Sequence, residues 1–176
     1  ERVAALAKWI AAEALQRPDQ AAHAEKAGLL CKADQATDMV RELTELQGTM
    51  GGIYTREEGL PEEVWKAIYF HYLPIGVEAD APPSKAQLGA AVVTWAAVSL
   101  ADKIDSVVGM FTAGERPTGS RDPLGLRRQA QGAVKILADL PSYGIDLKLT
   151  LGPLLDRAAQ PFGGFGESQA PLYTFM

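Results

Sequence analysis

The chain has 176 residues, of which 47% are hydrophobic and 22% are charged, and its formal net charge is −5. This composition suits a single globular domain and excludes a disordered chain, and the acidic balance does not favour nucleic-acid binding through overall charge. The single cysteine, Cys31, excludes an intramolecular disulfide and a multi-cysteine zinc site, and it fits a reducing, cytoplasmic compartment.

Helical periodicity dominates the first half of the chain, where apolar residues recur three and four positions apart. A glycine-rich segment at residues 47–52 predicts a tight turn between two helices. Pro61 and the two glutamates after it predict a helix start, because proline and carboxylates favour the first turn, and Pro74 predicts the stop. The helices predicted in this half span residues 3–14, 21–43 and 61–72.

The second half opens with a predicted loop at residues 75–83, followed by the longest helical pattern of the chain. Ser84 is a predicted N-cap, and the helix after it is apolar on nearly all sides, so we expect it to be central and buried. A polar loop at residues 114–121 leads to Asp122 and Pro123, which predict the cap and first residue of the next helix. The helices predicted in this half span residues 85–111, 123–140 and 146–159, the last with a break or start near Gly152.

These patterns predict an all-α bundle, because no segment alternates cleanly with a period of two. The longest apolar run, residues 88–100, is too short to cross a bilayer, and no signal-peptide pattern is present. Both ends look cut, so we interpret the chain as a fragment of a larger protein. We expect one helical domain over residues 1–140, then a C-terminal helix and a glycine-rich linker over residues 141–176.

The segment AGLLCKAD, residues 27–34, resembles the core helix of HD-type phosphohydrolase domains. In that family an adjacent His-Asp pair follows two leucines and holds a divalent metal ion that activates water. Here the pair would fall on Cys31 and Lys32, and a lysine ammonium repels a metal ion. The segment LADKID, residues 100–105, resembles the helix that closes the site, with Asp102 at the ligand position. The resemblance therefore implies an HD-like helical bundle without the metal-binding pair.

The degenerate HD site consists of Cys31, Lys32 and Asp102, and these residues and the neighbouring Asp105 carry specific expectations. We predict that Lys32 takes the place of the metal ion and pairs with Asp102, because a cation there keeps a buried carboxylate charged. Asp105 shares a helical face with Asp102, as a carboxylate pair would, but the pair lacks the partners that hydrolysis needs. Cys31 is predicted to be a small buried packing residue rather than a nucleophile.

The remaining ligand candidates are weaker. His23 is predicted to be a solvated surface residue, since no second ligand lies near it in the sequence. His71 lies among aromatic residues and is predicted to be half-buried with its hydrogen bonds satisfied. The glycine-rich segment is not a phosphate-binding loop, because no Lys-Ser or Lys-Thr follows it and no strand precedes it.

Four arginines cluster on the polar loop and the helix start that follows it: Arg116, Arg121, Arg127 and Arg128. Arginines and a helix start both favour phosphate, so contact of Arg116, Arg121 and Arg128 with RNA is one hypothesis. An ordinary solvated face is an equally weighted alternative. Arg127 is the weaker candidate, because its helical position can turn it inward to a carboxylate.

Three blocks resemble the β subunit of bacterial heterotetrameric glycyl-tRNA synthetase: KAGLLCKADQATDMVRELTELQGTMGGIY, EVWKAIYFHYLP and LADKIDSVVGMFTAGERPTGSRDPLGLRR. The similarity is continuous to about residue 140, and TELQGTMGG and PTGSRDPLGLRR are specific to that family. A small residue followed by lysine is usual there at the His-Asp position, so Cys31 and Lys32 agree with the family. Residues 160–176 match loosely, and PLYTFM resembles the approach to an anticodon-binding domain.

The resemblance implies a division of labour. ATP, Mg²⁺ and glycine are expected on an α subunit, while this fragment holds no cofactor and no catalytic residue. Its expected partners are tRNA(Gly) and the α subunit of an α2β2 assembly in the cytoplasm, without a membrane. We therefore expect a non-catalytic module for tRNA handling and assembly. A metal-dependent HD-type phosphohydrolase and a purely structural spacer domain stay as alternatives.

Overall fold

The computed structural model describes residues 1–75, 82–118, 121–122 and 124–176. These residues form helices and turns, and an isolated bridge between Thr118 and Arg121 is the only β pairing among them. The all-α prediction is therefore confirmed. No helix in the described ranges is long and apolar enough to cross a membrane. The α-helices are α1 (Arg2–Trp9), α2 (Ala21–Leu30), α3 (Asp38–Glu42), α4 (Thr49–Glu57), α5 (Glu62–Phe70), α6 (Lys85–Leu88), α7 (Val92–Thr112), α8 (Leu126–Asp139), α9 (Leu151–Ala159) and α10 (Gln169–Phe175).

Helix α7 is the centre of the bundle. Nearly all of its residues are buried, and α1, α2, α5, α8 and α9 pack against it. A helix that is apolar on all sides is stable in water only when neighbouring helices cover it. The predicted central placement is confirmed. It puts the polar residues of α7, which carry the candidate site, deep inside the fold.

The predicted helix over residues 85–111 is interrupted near its start. Ser84 caps α6 as predicted: its Oγ accepts a hydrogen bond from Gln87 N at 3.2 Å, and its backbone N donates to Gln87 Oε1 at 2.8 Å. At Gly89 the φ angle is +56°, a left-handed conformation that favours glycine, and the chain turns there before α7 begins. The prediction of one continuous helix was wrong, because a single glycine inside a helical pattern does not by itself show where the helix breaks.

The predicted helix over residues 21–43 is also wrong, because the chain leaves the helix between α2 and α3. Asp34 lies in this break and caps the start of α4. Its Oδ2 accepts hydrogen bonds from Gly48 N at 2.6 Å and from Gly51 N at 3.0 Å. These N–H groups at the start of α4 have no partner within their own helix, so the carboxylate satisfies them. Thr37 then caps the start of α3.

The glycine-rich segment at residues 47–52 has two structural roles. Gly48 makes the predicted turn, with φ at +78°, and α4 begins at the next residue. Gly51 and Gly52 lie inside α4 where it packs against α5, and a Cβ on Gly52 would come within 2.5 Å of Tyr69 Cβ. The two later glycines therefore permit a close approach of two helices, which the prediction of a turn did not include.

The side chain of Asp122 holds the start of α8, but the helix begins at Leu126 with Gly125 as its N-cap, later than the predicted start at residue 123. Asp122 Oδ1 accepts a hydrogen bond from Leu126 N at 2.8 Å, and its Oδ2 accepts one from Arg127 N at 2.9 Å. Pro123, predicted at the first helical position, and residues 76–81 of the predicted loop lie outside the described residues.

The C-terminal segment joins the same core as the rest of the chain. Leu154, Leu155 and Leu172 are fully buried in one cluster with side chains of α7. In the predicted linker, Ser168 is buried and its Oγ donates a hydrogen bond to Phe111 O at 2.9 Å. Helix α9 matches the predicted C-terminal helix, with its start near Gly152, whereas α10 follows the predicted linker and was not among the predicted helices. The division near residue 140 stays a prediction.

Candidate functional site

A cavity of about 460 Å³ lies where the ends of α2 and α5, the starts of α4 and α8, and the middle of α7 meet. Its lining brings together Lys32, Asp102 and Arg128. Two residues of the degenerate HD site and one of the predicted RNA-contacting arginines therefore share one cavity, although they come from distant parts of the sequence.

Lys32 and Asp102 form the predicted ion pair, with Lys32 Nζ 2.7 Å from Asp102 Oδ1. Partial burial opposes the charge on Lys32, but the Asp102 carboxylate outweighs burial and the pKa of Lys32 is raised. Lys32 is therefore a cation at neutral pH and compensates the buried carboxylate.

We expect Lys32→Met to lower the free energy of unfolding by about 1–3 kcal/mol, because Asp102 would be left buried without a counterion. The Lys32 side chain is 42% exposed and that of Asp102 is 5% exposed. Water therefore replaces part of the lost interaction, and the loss stays below the ~3–5 kcal/mol of a fully buried pair. Urea unfolding of Lys32→Met, Asp102→Asn and the double variant measures the coupling. Strictly additive effects would contradict the pairing.

Cys31 is a buried packing residue, as predicted. Its Sγ donates a hydrogen bond to Gly28 O at 3.4 Å within the last turn of α2. Burial, and after it the nearby Asp102 carboxylate, raise the pKa of the Cys31 thiol to about 12. A thiol that stays protonated at neutral pH is a poor nucleophile and a poor metal ligand.

Lys103 is a residue of the site that the sequence analysis missed. It is 4% exposed, and its Nζ donates hydrogen bonds to His71 O at 3.0 Å, Tyr72 O at 3.1 Å and Ser99 Oγ at 3.0 Å. Burial lowers the pKa of Lys103 to about 8, so it is still mostly charged at neutral pH. The sequence does contain one indication of this role. A lysine on an otherwise apolar helix must be either exposed or fully hydrogen-bonded.

His71 is fully buried rather than half-buried as predicted. Its Nδ1 is 2.7 Å from Ile68 O, and because a carbonyl oxygen can only accept, Nδ1 carries the proton of the neutral ring. Its Nε2 has no hydrogen-bond partner among the described residues. Burial lowers the pKa of His71 to about 4. The prediction of a fully satisfied histidine was therefore wrong for one of its two nitrogens.

The donor set does not fit the metal of an HD-type hydrolase. In the part of the chain that the structure describes, no three His, Cys, Asp or Glu side chains are grouped to hold a metal ion. Asp105 accepts two hydrogen bonds from Arg2, at 3.0 and 3.1 Å, so it does not pair with Asp102, which faces Lys32. Each aspartate therefore has its own cation, Arg2 for Asp105 and Lys32 for Asp102. His23 is half-exposed on α2.

The predicted RNA-contacting arginines Arg116, Arg121 and Arg128 are exposed and lie between the end of α7 and the first turns of α8. None of the three has a carboxylate within ion-pair distance among the described residues. Arg127 is half-buried and has a partner within the protein. This agrees with the prediction that it is the weaker candidate for contact with RNA.

Comparison with known proteins confirms the family resemblance. The whole chain, residues 1–176, matches the family model described as glycyl-tRNA synthetase beta subunit. It is 42% identical to the glycine–tRNA ligase beta subunit of Dechloromonas aromatica over 100% of this chain and 23% of that relative. It is 46% identical to the protein of the same name from Magnetococcus marinus, over 99% of this chain and 23% of the relative.

These matches place the chain among the subunits of aminoacyl-tRNA synthetases. In particular, it belongs to the glycyl-tRNA synthetase beta-subunit family. The chain spans less than a quarter of the length of the curated relatives it matches, for example 23% in Dechloromonas aromatica and 21% in Trichodesmium erythraeum.

Proposed function

We propose that this chain is a non-catalytic, tRNA-handling and assembly module of a glycyl-tRNA synthetase β subunit. Its membership in that family and relatives named glycine–tRNA ligase beta subunit support the proposal. In the proposed cytoplasmic α2β2 enzyme, glycine is ligated to tRNA(Gly), and ATP and Mg²⁺ are used on the α subunit. This fragment itself holds no cofactor and no catalytic residue.

The observation that carries the tRNA-handling role is the set of three exposed arginines that form no ion pair with any described residue, in a chain with net charge −5. Unpaired guanidinium groups bind phosphate oxygens through two hydrogen bonds at once. The N–H groups at the start of α8 are less available to a phosphate than the sequence predicted, because the Asp122 carboxylate already accepts hydrogen bonds from Leu126 N and Arg127 N. The side chains of Arg116, Arg121 and Arg128 would therefore make the contacts.

Charge reversal of these arginines tests the proposal. We expect Arg121→Glu and Arg128→Glu each to weaken tRNA binding about tenfold and to lower the salt slope of binding by about one, because each removes one phosphate contact. Formation of glycyl-adenylate should be unchanged, since we place that chemistry on the α subunit. The measurements are pyrophosphate exchange and tRNA charging by the whole α/β enzyme at several salt concentrations.

Lys148→Glu is the matched control, because Lys148 is exposed but lies outside the connection between α7 and α8. It should leave tRNA charging near the wild-type rate. If Arg121→Glu and Arg128→Glu leave both steps intact as well, the tRNA-handling role is wrong and the structural spacer takes its place. The phosphohydrolase alternative receives no support from the donor set around Asp102.

A further inference from the structure

The cavity beside Lys32 has the size of a small-ligand site. Its volume of about 460 Å³ falls within the ~300–1,000 Å³ that ligand-binding pockets usually have. Gly125 at the start of α8 lines one wall, and a Cβ at this position would come within 2.9 Å of the Arg128 guanidinium. The glycine therefore leaves room for the Arg128 side chain to lie along the cavity wall.

The charges around the cavity favour an anion. Its lining contains three cations, Lys32, Lys103 and Arg128, and two carboxylates, Glu45 and Asp102. The hydrogen bonds of the Lys103 ammonium go to neutral oxygens, and Arg128 has no carboxylate partner in the described part of the chain. A net positive charge therefore remains, and it attracts anionic ligands.

Lys32 is able to contact a ligand without leaving Asp102. An ammonium group has three N–H donors, and one of them faces Asp102. The side chain of Lys32 is still 42% exposed, so its other donors are open to the cavity. Lys103 differs in this respect, because its three donors are all engaged and it contributes only its charge.

Tyr72 gives the cavity an immobilised aromatic ring. Its hydroxyl accepts a hydrogen bond from Gln35 Nε2 at 2.8 Å, and its ring centroid is 4.0 Å from that of His71. Lys32 Nζ is 5.7 Å from the centroid of the Tyr72 ring. A fixed aromatic ring next to a cation suits a base and its phosphate, as in proteins that bind unpaired nucleotides. Gln47 and Thr49 add hydrogen-bonding groups to the same lining.

We propose that this cavity binds a single nucleotide, with its phosphate at Lys32 and Arg128 and its base against Tyr72. A free nucleotide and an unpaired nucleotide of an RNA chain present the same phosphate and base, so both fit this chemistry. The site does not depend on Arg116 and Arg121, which lie outside the cavity lining.

The test is equilibrium binding of the four nucleoside monophosphates to the full-length β chain, with the parent nucleosides as controls for the phosphate. We expect at least one monophosphate to bind at one site per chain, tenfold or more tightly than its nucleoside. Arg128→Gln and the double variant Lys32→Gln/Asp102→Asn should each weaken binding at least tenfold. The double variant removes both members of the ion pair, so neither Lys32 nor Asp102 is left without its partner.

Lys26→Gln, a change at an exposed lysine of α2 outside the lining, should bind like the wild type. Circular dichroism confirms that each variant is folded before binding is measured. The proposal is overturned if no monophosphate binds, or if the cavity variants bind as tightly as Lys26→Gln does.

Competition with tRNA(Gly) distinguishes the two sources of the nucleotide. Displacement of the bound monophosphate by tRNA identifies an RNA nucleotide as the ligand, whereas saturable binding that tRNA does not displace identifies a free nucleotide. The double variant Arg116→Glu/Arg121→Glu should keep its affinity for the monophosphate. Failure of the tRNA surface and failure of the cavity therefore give different results.

Discussion

Trp95→Ala should lower the free energy of unfolding by about 3–5 kcal/mol, the range for truncating a large buried aromatic residue. Trp95 is fully buried on α7, and its ring centroid is 5.2 Å from that of Tyr143. Its Nε1 donates a hydrogen bond to Phe70 O at 3.1 Å. The truncation leaves a cavity between helices and also removes the donor of this carbonyl, so both effects act in the same direction.

Urea unfolding followed by circular dichroism measures this loss. Trp65→Ala is the matched control, because Trp65 is half-buried on α5, where Arg56 and Lys66 lie near its ring. It should cause a clearly smaller loss than Trp95→Ala. Equal losses for the two variants would be incompatible with α7 as the buried centre of the bundle.

Acid should destabilise the fold through His71. Burial lowers the pKa of His71 from 6.5 to about 4, so between these values the unfolded chain binds more protons than the folded chain. Stability must then fall as the pH falls from 6.5 toward 4, and the difference between the two pKa values corresponds to about 3 kcal/mol. The physical cause is that protonation would place an N–H at Nε2, which has no acceptor among the described residues.

The measurement is the free energy of unfolding from pH 4 to pH 7 for the wild type and His71→Gln. The stability advantage of the wild type should shrink as the pH falls, because the variant has no imidazole at this position to protonate. His23→Gln is the control, since it makes the same change at a half-exposed histidine. A constant difference between wild type and His71→Gln over this pH range would contradict the prediction.

Features that depend on neighbouring residues could be predicted from the sequence. Ser84 and Asp122 cap helices that begin within four residues of them, so the cap and the helix are visible together. The burial of α7 follows from its own composition. The pairing of Lys32 with Asp102 is a longer-range feature, and it was predictable only because a family resemblance related the two segments.

Features that depend on distant partners could not be predicted. Asp34 lies in the break after α2 and caps a helix that begins about 15 residues later, and no local signal in the sequence links it to Gly48. In the sequence, Gly52 is typical of a turn, and only the structure shows that it lies close to Tyr69. The complete burial of His71 and the hydrogen-bond partners of Lys103 likewise depend on the packing of α5 against α7.

The bonds of Lys103 have a consequence for how the chain folds. The carbonyl groups that follow α5 are satisfied by Lys103 and Ser99 of α7, where a helix more often uses the residues directly after it. The chain directly after α5 is therefore held in place by side chains of α7. Local unfolding of α7 would therefore release the chain around Tyr72 in the same cooperative step.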